Sequence, residues 1–170
     1  MTNIRRLTES DAEALYRLRL HALEVEPKSF RESHEELRKV AVATYAERLG
    51  SGGEENFVLG AFEGSEMIGM VGFYRELPLK CRHKGWIWGM FVDHSQRGKG
   101  IGRALLTAAL ERARKLPGLT QVRLTVSTTQ DAARKLYVSC GFRVFGLESQ
   151  AMCVNGEFVD EEQMALPVSS

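Results

Sequence analysis

The chain has 170 residues, 44% hydrophobic and 26% charged, which fits one compact domain over residues 1–170 and excludes a disordered, collagen-like or disulfide-scaffold chain. Its 23 Lys and Arg against 22 Asp and Glu leave a formal charge of +1, so no bulk field favours nucleic acid or an anionic membrane. Cys81, Cys140 and Cys153 are odd in number and widely spaced, without zinc-type pairing, which predicts free thiols, no metal and a reducing compartment. Met1 to Arg6 leads into Glu9 and Asp11 rather than an apolar signal segment, and no run approaches the roughly 20 apolar residues of a membrane span. A cytoplasmic protein is expected.

In chain order, Ile4 to Leu7 is a short strand, and Thr8-Glu9-Ser10-Asp11 supplies a helix start for Leu15, Leu18, Ala22 and Leu23 at helical spacing. Leu37, Val40, Ala41, Tyr45 and Leu49 mark a second amphipathic helix that stops at Gly50. Phe57 to Phe62 and Met67 to Tyr74 are apolar runs joined by Glu63-Gly64-Ser65-Glu66, a hairpin, and Trp86 to Val92 is a third run. After a glycine-rich segment, Ile101, Leu105, Ala108, Ala109, Ala113 and Leu116 define a helix stopped by Pro117-Gly118, and Val122 to Val126 alternates as a strand. Strand, helix, strand is a βαβ unit, which makes its two strands parallel with a right-handed crossover. Gln130 to Ser139 is a further helix ended by Gly141, and Phe142 to Val154 and Phe158 to Leu166 flank Asn155-Gly156, a strong hairpin signal. The expected fold is α/β (α+β): a single mixed sheet of about seven strands, antiparallel in its first half, with a central parallel pair, a C-terminal hairpin and helices on both faces.

Gln96-Arg97-Gly98-Lys99-Gly100-Ile101-Gly102 sits between a strand and a helix. Its glycines let the backbone approach a ligand, the helix start offers unpaired N–H groups, and Arg97, Lys99 and Arg103 add charge. A pyrophosphate fits that chemistry, whereas a solvated glycine turn is the plainer alternative. Lys99 is followed by Gly100 rather than Ser or Thr, so the segment is no Walker loop, and Arg103 stands where a dinucleotide fingerprint starting at Gly98 needs glycine.

The segment Gly89 to Gly102, with Arg97, Gly100 and Gly102 in the pattern Arg or Gln, two residues, Gly, one residue, Gly or Ala, resembles the acetyl-CoA motif of GNAT-type N-acetyltransferases. Gln130 to Phe142, a helix ending in Leu136-Tyr137, three residues, then Gly141-Phe142, is similar to the family's second motif. Together they cover residues 86 to 146. Two positions depart from the family pattern: Gln130 stands where Asn is usual, and His94 where Pro is usual.

The resemblance implies direct transfer of an acetyl group from acetyl-CoA to a primary amine of a small molecule or a peptide N-terminus. It implies pantetheine along the backbone of Phe91 and Val92, a thioester oxygen near the N–H of Met90 or Phe91, and pyrophosphate on Arg97, Gly98, Lys99, Gly100, Ile101, Gly102 and Arg103, with Gln130 as a further cofactor contact. Tyr137 matches the family tyrosine that lies near the sulfur and protonates the leaving thiolate. Packing of its ring into the core is the alternative reading.

No carboxylate occupies the strands beside the loop, so no base is assigned. His21, Glu76, His83 and His94 are weak candidates, and Cys140 lacks a local His or Asp partner and reads as structural. Trp86, Trp88, Phe73 and Tyr74 read as core or acceptor-site wall. Acceptor sites of the family use the first helices, the segment Glu76 to Lys84 and the last hairpin, which carry no motif that identifies the amine. A homodimer is left open, and a non-catalytic acyl-CoA sensor of the same fold is the competing function.

Overall fold

The computed structural model of the chain describes residues 1–169. One seven-stranded sheet contains β1 (Thr2–Arg6), β2 (Asn56–Glu63), β3 (Glu66–Arg75), β4 (Lys84–Val92), β5 (Gln121–Ser127), β6 (Arg143–Val154) and β7 (Glu157–Pro167), in the order β1-β2-β3-β4-β5-β7-β6. All neighbours are antiparallel except β4 and β5, the pair joined by the βαβ crossover, in agreement with the expected fold class. Sequence pattern does not reveal that β7 inserts between β5 and β6. The hairpin turns on Asn155 and Gly156, both at positive φ, the backbone that a two-residue turn of this hand requires.

The sheet separates two apolar cores, because alternate residues of each strand face opposite sides. In β2, Val58 and Phe62 join Leu15, Leu18 and Ala22 of α1 (Ala12–Val25), whereas Phe57, Leu59 and Ala61 join Leu105, Leu106 and Ala109 of α4 (Ile101–Ala113). Burial of these side chains on both faces is the main stabilising contribution.

The second predicted helix is two helices. A one-turn α2 (His34–Leu37) starts at Ser33, whose hydroxyl accepts from the Glu36 N–H while the Glu36 carboxylate accepts from the Ser33 N–H. Ala41 is then extended, and α3 (Val42–Ser51) begins in a new direction with Tyr45 edge-on to Tyr16 at 5.7 Å. Leu37 and Tyr45 are eight apart, a spacing that one continuous helix would also satisfy, so periodicity hides the break. Gly50 lies inside α3 rather than ending it. A β-carbon there would meet only the exposed, flexible Glu9 side chain, and the helix ends one residue later at Ser51.

Asp11 accepts two hydrogen bonds from the Arg5 guanidinium, at 2.8 and 2.7 Å, and one from the Thr8 N–H at 2.8 Å, tying β1 to the start of α1. The Arg5 bonds hold the Asp11 carboxyl at about 2, below its ordinary 3.8. A depressed carboxylate stabilises the fold above its unfolded pKa and loses that contribution as pH falls through the folded one. The pair is therefore expected to contribute on the order of 1 kcal/mol, discounted for the exposure of Arg5, that disappears between about pH 4 and 2. Urea melts of the parent and Asp11→Asn across this range check it: the difference in stability between them should shrink toward zero at the acid end.

Candidate active site

Strands β4 and β5 pair only where Lys84 to Trp86 meets Gln121 to Arg123. Beyond that point Ile87 to Val92 and Leu124 to Ser127 have no partner in each other. The cause lies in β4, where Gly89 and Met90 together oppose the single residue Val71 of β3. This bulge, with Gly89 at φ 62°, bends β4 away from β5. A cavity of about 570 Å³ fills the gap, walled by Trp86 to Met90 of β4, Leu124 to Ser127 of β5 and Tyr137 of α5 (Asp131–Ser139). Gln130, at the start of α5, lines it too.

The loop after β4 ends at Gly100, the residue that caps α4. Gly98 and Gly100 have φ of 77° and 79°, which glycine adopts without strain, and a β-carbon on either would meet nothing within 4 Å. Among the described residues, the consecutive N–H groups of Gly98, Lys99, Gly100, Ile101, Gly102 and Arg103 donate to no protein acceptor; the next, on Ala104, closes the first helical bond to the Gly100 carbonyl. A row of free donors on an open backbone at a helix start is chemically suited to cradle an anion. Gly102 differs from the other two glycines. A β-carbon there would touch Leu136 at 3.4 Å, so it serves the contact between α4 and α5.

The basic side chains are engaged elsewhere. Arg97 folds back, donating from Nε to the Val92 carbonyl at 3.0 Å and pairing with Glu26 at 2.6 Å. Lys99 donates to Gln96, and Arg103 to the Ser139 hydroxyl at 2.7 Å. In this structure the free donors of the loop are backbone N–H groups, and the charge of Arg97, Lys99 and Arg103 stands beside them. The Val92 carbonyl accepts this bond from Arg97 and keeps its second lone pair. Phe91 turns its ring away from the cleft into the α1 core, as suits a residue whose backbone alone faces the gap. Met90 lines the cavity.

Tyr137 packs into the core and also lines the cleft. Its ring is 5% exposed and edge-on to Phe142 at 6.0 Å, yet it lines the cavity, and its hydroxyl makes no hydrogen bond among the described residues. Burial pushes the phenol far above its ordinary 10, so it keeps its proton throughout the working range.

None of the four weak base candidates lines the cleft. His21 pairs with Asp93, His94 with Glu26, and Glu76 accepts from the Trp86 indole and pairs with Lys84. The segment Glu76 to Lys84 contributes no lining residue, whereas Tyr74, Trp86 and Trp88 do; Phe73 is core.

The cleft does hold carboxylates that the sequence did not reveal as neighbours. Glu161, 3% exposed on β7 and paired in register with Ser127, and Glu148 on β6 both receive the Arg31 guanidinium, at 2.6 and 2.7 Å. Glu26 is the third. Burial would raise its carboxyl, but hydrogen bonds from His94 and Arg97 outweigh this and hold it below the ordinary range. The available signal was Glu161 two residues after Val159 on an alternating strand, an acid on the buried register. The three cysteines are unpaired, and no helix among the described residues is long and apolar enough to cross a membrane.

A mixed sheet that splays at a central parallel pair, with a backbone anion cradle at the head of the gap, is the architecture of the acyl-CoA N-acyltransferases. The model of the acetyltransferase (GNAT) family matches residues 14–142, and the chain belongs to that family. It is 37% identical over 101 residues, 59% of this chain and 61% of the relative, to the N-alpha-acetyltransferase RimI of Mycobacterium tuberculosis. The match therefore spans less than two thirds of that relative's length. Among solved structures, ribosomal-protein-alanine N-acetyltransferase from Brucella melitensis superposes with a TM-score of 0.83 at 25% identity, covering 98% of this chain and 99% of the other. A phosphinothricin acetyltransferase from Sinorhizobium meliloti, in complex with AcCoA, gives 0.86 at 19% identity, covering 99% and 89%.

Proposed function

We propose that the protein transfers an acetyl group from acetyl-CoA directly to a primary amine of a small molecule or a peptide N-terminus. The single observation that carries this is the row of free N–H groups from Gly98 to Arg103 at the head of the splayed cleft. Family membership supports it, as does the acetyl-CoA held by the Sinorhizobium structure of the same fold.

Acetyl-CoA supplies an activated thioester. In this reading the cradle binds its pyrophosphate, with Lys99 and Arg103 adding charge from the margin, and Arg97 exchanges Glu26 for phosphate. The unpaired edge of β4 from Ile87 to Val92 receives the pantetheine as an added strand. An N–H at the Gly89 to Phe91 bulge polarises the thioester oxygen, and Gln130 contacts the cofactor from the opposite wall. The amine nitrogen bonds to the carbonyl carbon, the carbon–sulfur bond breaks, the Tyr137 hydroxyl donates to the departing sulfur as its charge develops, and the proton the nitrogen sheds on becoming an amide restores the phenol through water. The ammonium loses its proton before attack, and no residue is assigned to remove it.

Release of free thiol on mixing acetyl-CoA with an amine, together with the mass of the N-acetyl product, tests this. With no assigned base, kcat/KM is expected to rise about tenfold per pH unit until the acceptor amine is neutral, with a midpoint that follows the pKa of the amine used. A midpoint fixed for two amines of different pKa would identify a protein base instead. Binding of acetyl-CoA without acetylation of any amine in a broad panel would favour the sensor function.

A further inference from the structure

Arg19, on α1, is 6% exposed, and its guanidinium carries five N–H donors. One hydrogen bond is made, from Nη2 to Glu32 at 2.8 Å. Nη1 makes none, and Nε is the one buried side-chain nitrogen or oxygen without a partner among the described residues. Buried charged donors are ordinarily satisfied; Nε is closed off from the surroundings and Nη2 is taken by Glu32, so Nη1 is the donor left open to an acceptor from outside the protein.

Its position says where that acceptor would lie. Nη1 stands 3.5 Å from where a β-carbon on Gly89 would be, beside the β4 bulge at which the thioester is proposed to sit. The guanidinium faces the rings of Phe30 and Trp88 at 5.3 and 5.7 Å, which fix its plane. Arg19, Glu32, Tyr74 and Trp88 form a wall shared by the main cleft and a second cavity of about 280 Å³, lined by apolar groups including Leu15, Tyr45, Leu49 and Val58.

The charges of the two cavities differ in sign. The second holds Arg6, Arg19 and Arg48 against Glu32, and Arg6 is balanced by Glu54, which leaves two cations and one carboxylate. The main cleft holds Arg19 and Arg31 against Glu26, Glu32, Glu148 and Glu161, and Glu26 is balanced by Arg97, which leaves an excess of one negative charge. An acceptor oriented by these fields turns a cationic end toward the cleft and an anionic end toward Arg19.

We infer that the acceptor is a free α-amino acid with a large apolar side chain: its carboxylate takes the open Nη1 of Arg19 beside Gly89, its side chain enters the second cavity, and its amine points to the thioester. The short reach from Nη1 to the Gly89 bulge demands an amine and a carboxylate only a few bonds apart. A polyamine brings nothing to Arg19, and a peptide N-terminus brings a neutral carbonyl where the site offers charge. This inference rests on the acetyl-transfer reading and narrows it.

The test is calorimetric titration of the CoA-loaded protein with L-phenylalanine, L-phenylalaninamide, glycine and spermidine, followed by turnover of the same amines with acetyl-CoA. L-Phenylalanine is expected to bind about 10²-fold more tightly than its amide, because the amide leaves the buried charge unanswered, and well above glycine, which leaves the second cavity unfilled. In Arg19→Lys the preference for acid over amide should fall below about tenfold while CoA affinity is unchanged. The parent's own acid-to-amide ratio decides the matter if that variant fails to fold. Equal binding of acid and amide, tighter binding of spermidine, or an acid preference that survives in Arg19→Lys overturns the assignment. CoA that binds normally while the acid shows no advantage refutes the acceptor class alone, whereas failure of CoA itself to bind refutes the acetyl-transfer reading beneath it.

Discussion

Gly100→Asp is expected to weaken CoA binding by at least about 10²-fold while leaving the chain folded. The new carboxylate would stand among N–H groups that must meet phosphate, so it adds both repulsion and a competing acceptor. Space does not limit it, because a β-carbon at Gly100 meets nothing within 4 Å. Backbone strain is modest, since φ of 79° is close to the left-handed region that Asp tolerates better than most residues, at a cost of roughly 1 kcal/mol. Gly102 is a poorer probe, for a larger side chain there starts in contact with Leu136 and confuses binding with helix packing. Calorimetry with CoA and a thermal melt of the same sample check the prediction. A folded Gly100→Asp protein that binds CoA like the parent would show that the pyrophosphate lies elsewhere.

Tyr137→Phe is expected to lower kcat by roughly 10²-fold, the low end of what a positioned proton donor contributes, with little change in CoA affinity. The ring, its edge contact with Phe142 and the apolar burial all remain, so stability should stay within about 1 kcal/mol of the parent. The hydroxyl has no hydrogen-bond partner among the described residues, and its removal therefore orphans nothing. Since burial raises this phenol above its ordinary range, the loss should be the same at every working pH rather than growing at the alkaline end. Unchanged turnover with a lowered melting temperature would make Tyr137 a core residue only.

Local signals were the legible ones. The βαβ crossover, the Asn155-Gly156 hairpin and the glycine loop before α4 are written in short stretches of chain, and each stands where the periodicity and turn chemistry put it. The direction of side chains in the loop was not legible: Arg97 is charged and adjacent to the cradle, yet Glu26, 71 residues earlier, claims its guanidinium. The acidic wall was hidden for the same reason. Arg31 and Glu161 are separated by 130 residues, and only the order β5-β7-β6 brings β7 beside β5 to place Glu161 opposite Ser127. Arg19 falls at helical spacing among leucines and reads as an ordinary charged position of an amphipathic helix, because a missing hydrogen-bond partner is a property of packing and leaves no mark in the sequence.

The backbone cradle is the claim on which the rest stands, and amide hydrogen exchange of the Gly98 to Arg103 segment with and without saturating CoA tests it most directly. These N–H groups have no protein acceptor in the free chain, so they should exchange freely without CoA and become strongly protected when phosphate oxygens accept from them. Protection confined to this segment and the exposed edge of β4 is the predicted result. Tight CoA binding with no change in exchange from Gly98 to Arg103 would contradict it.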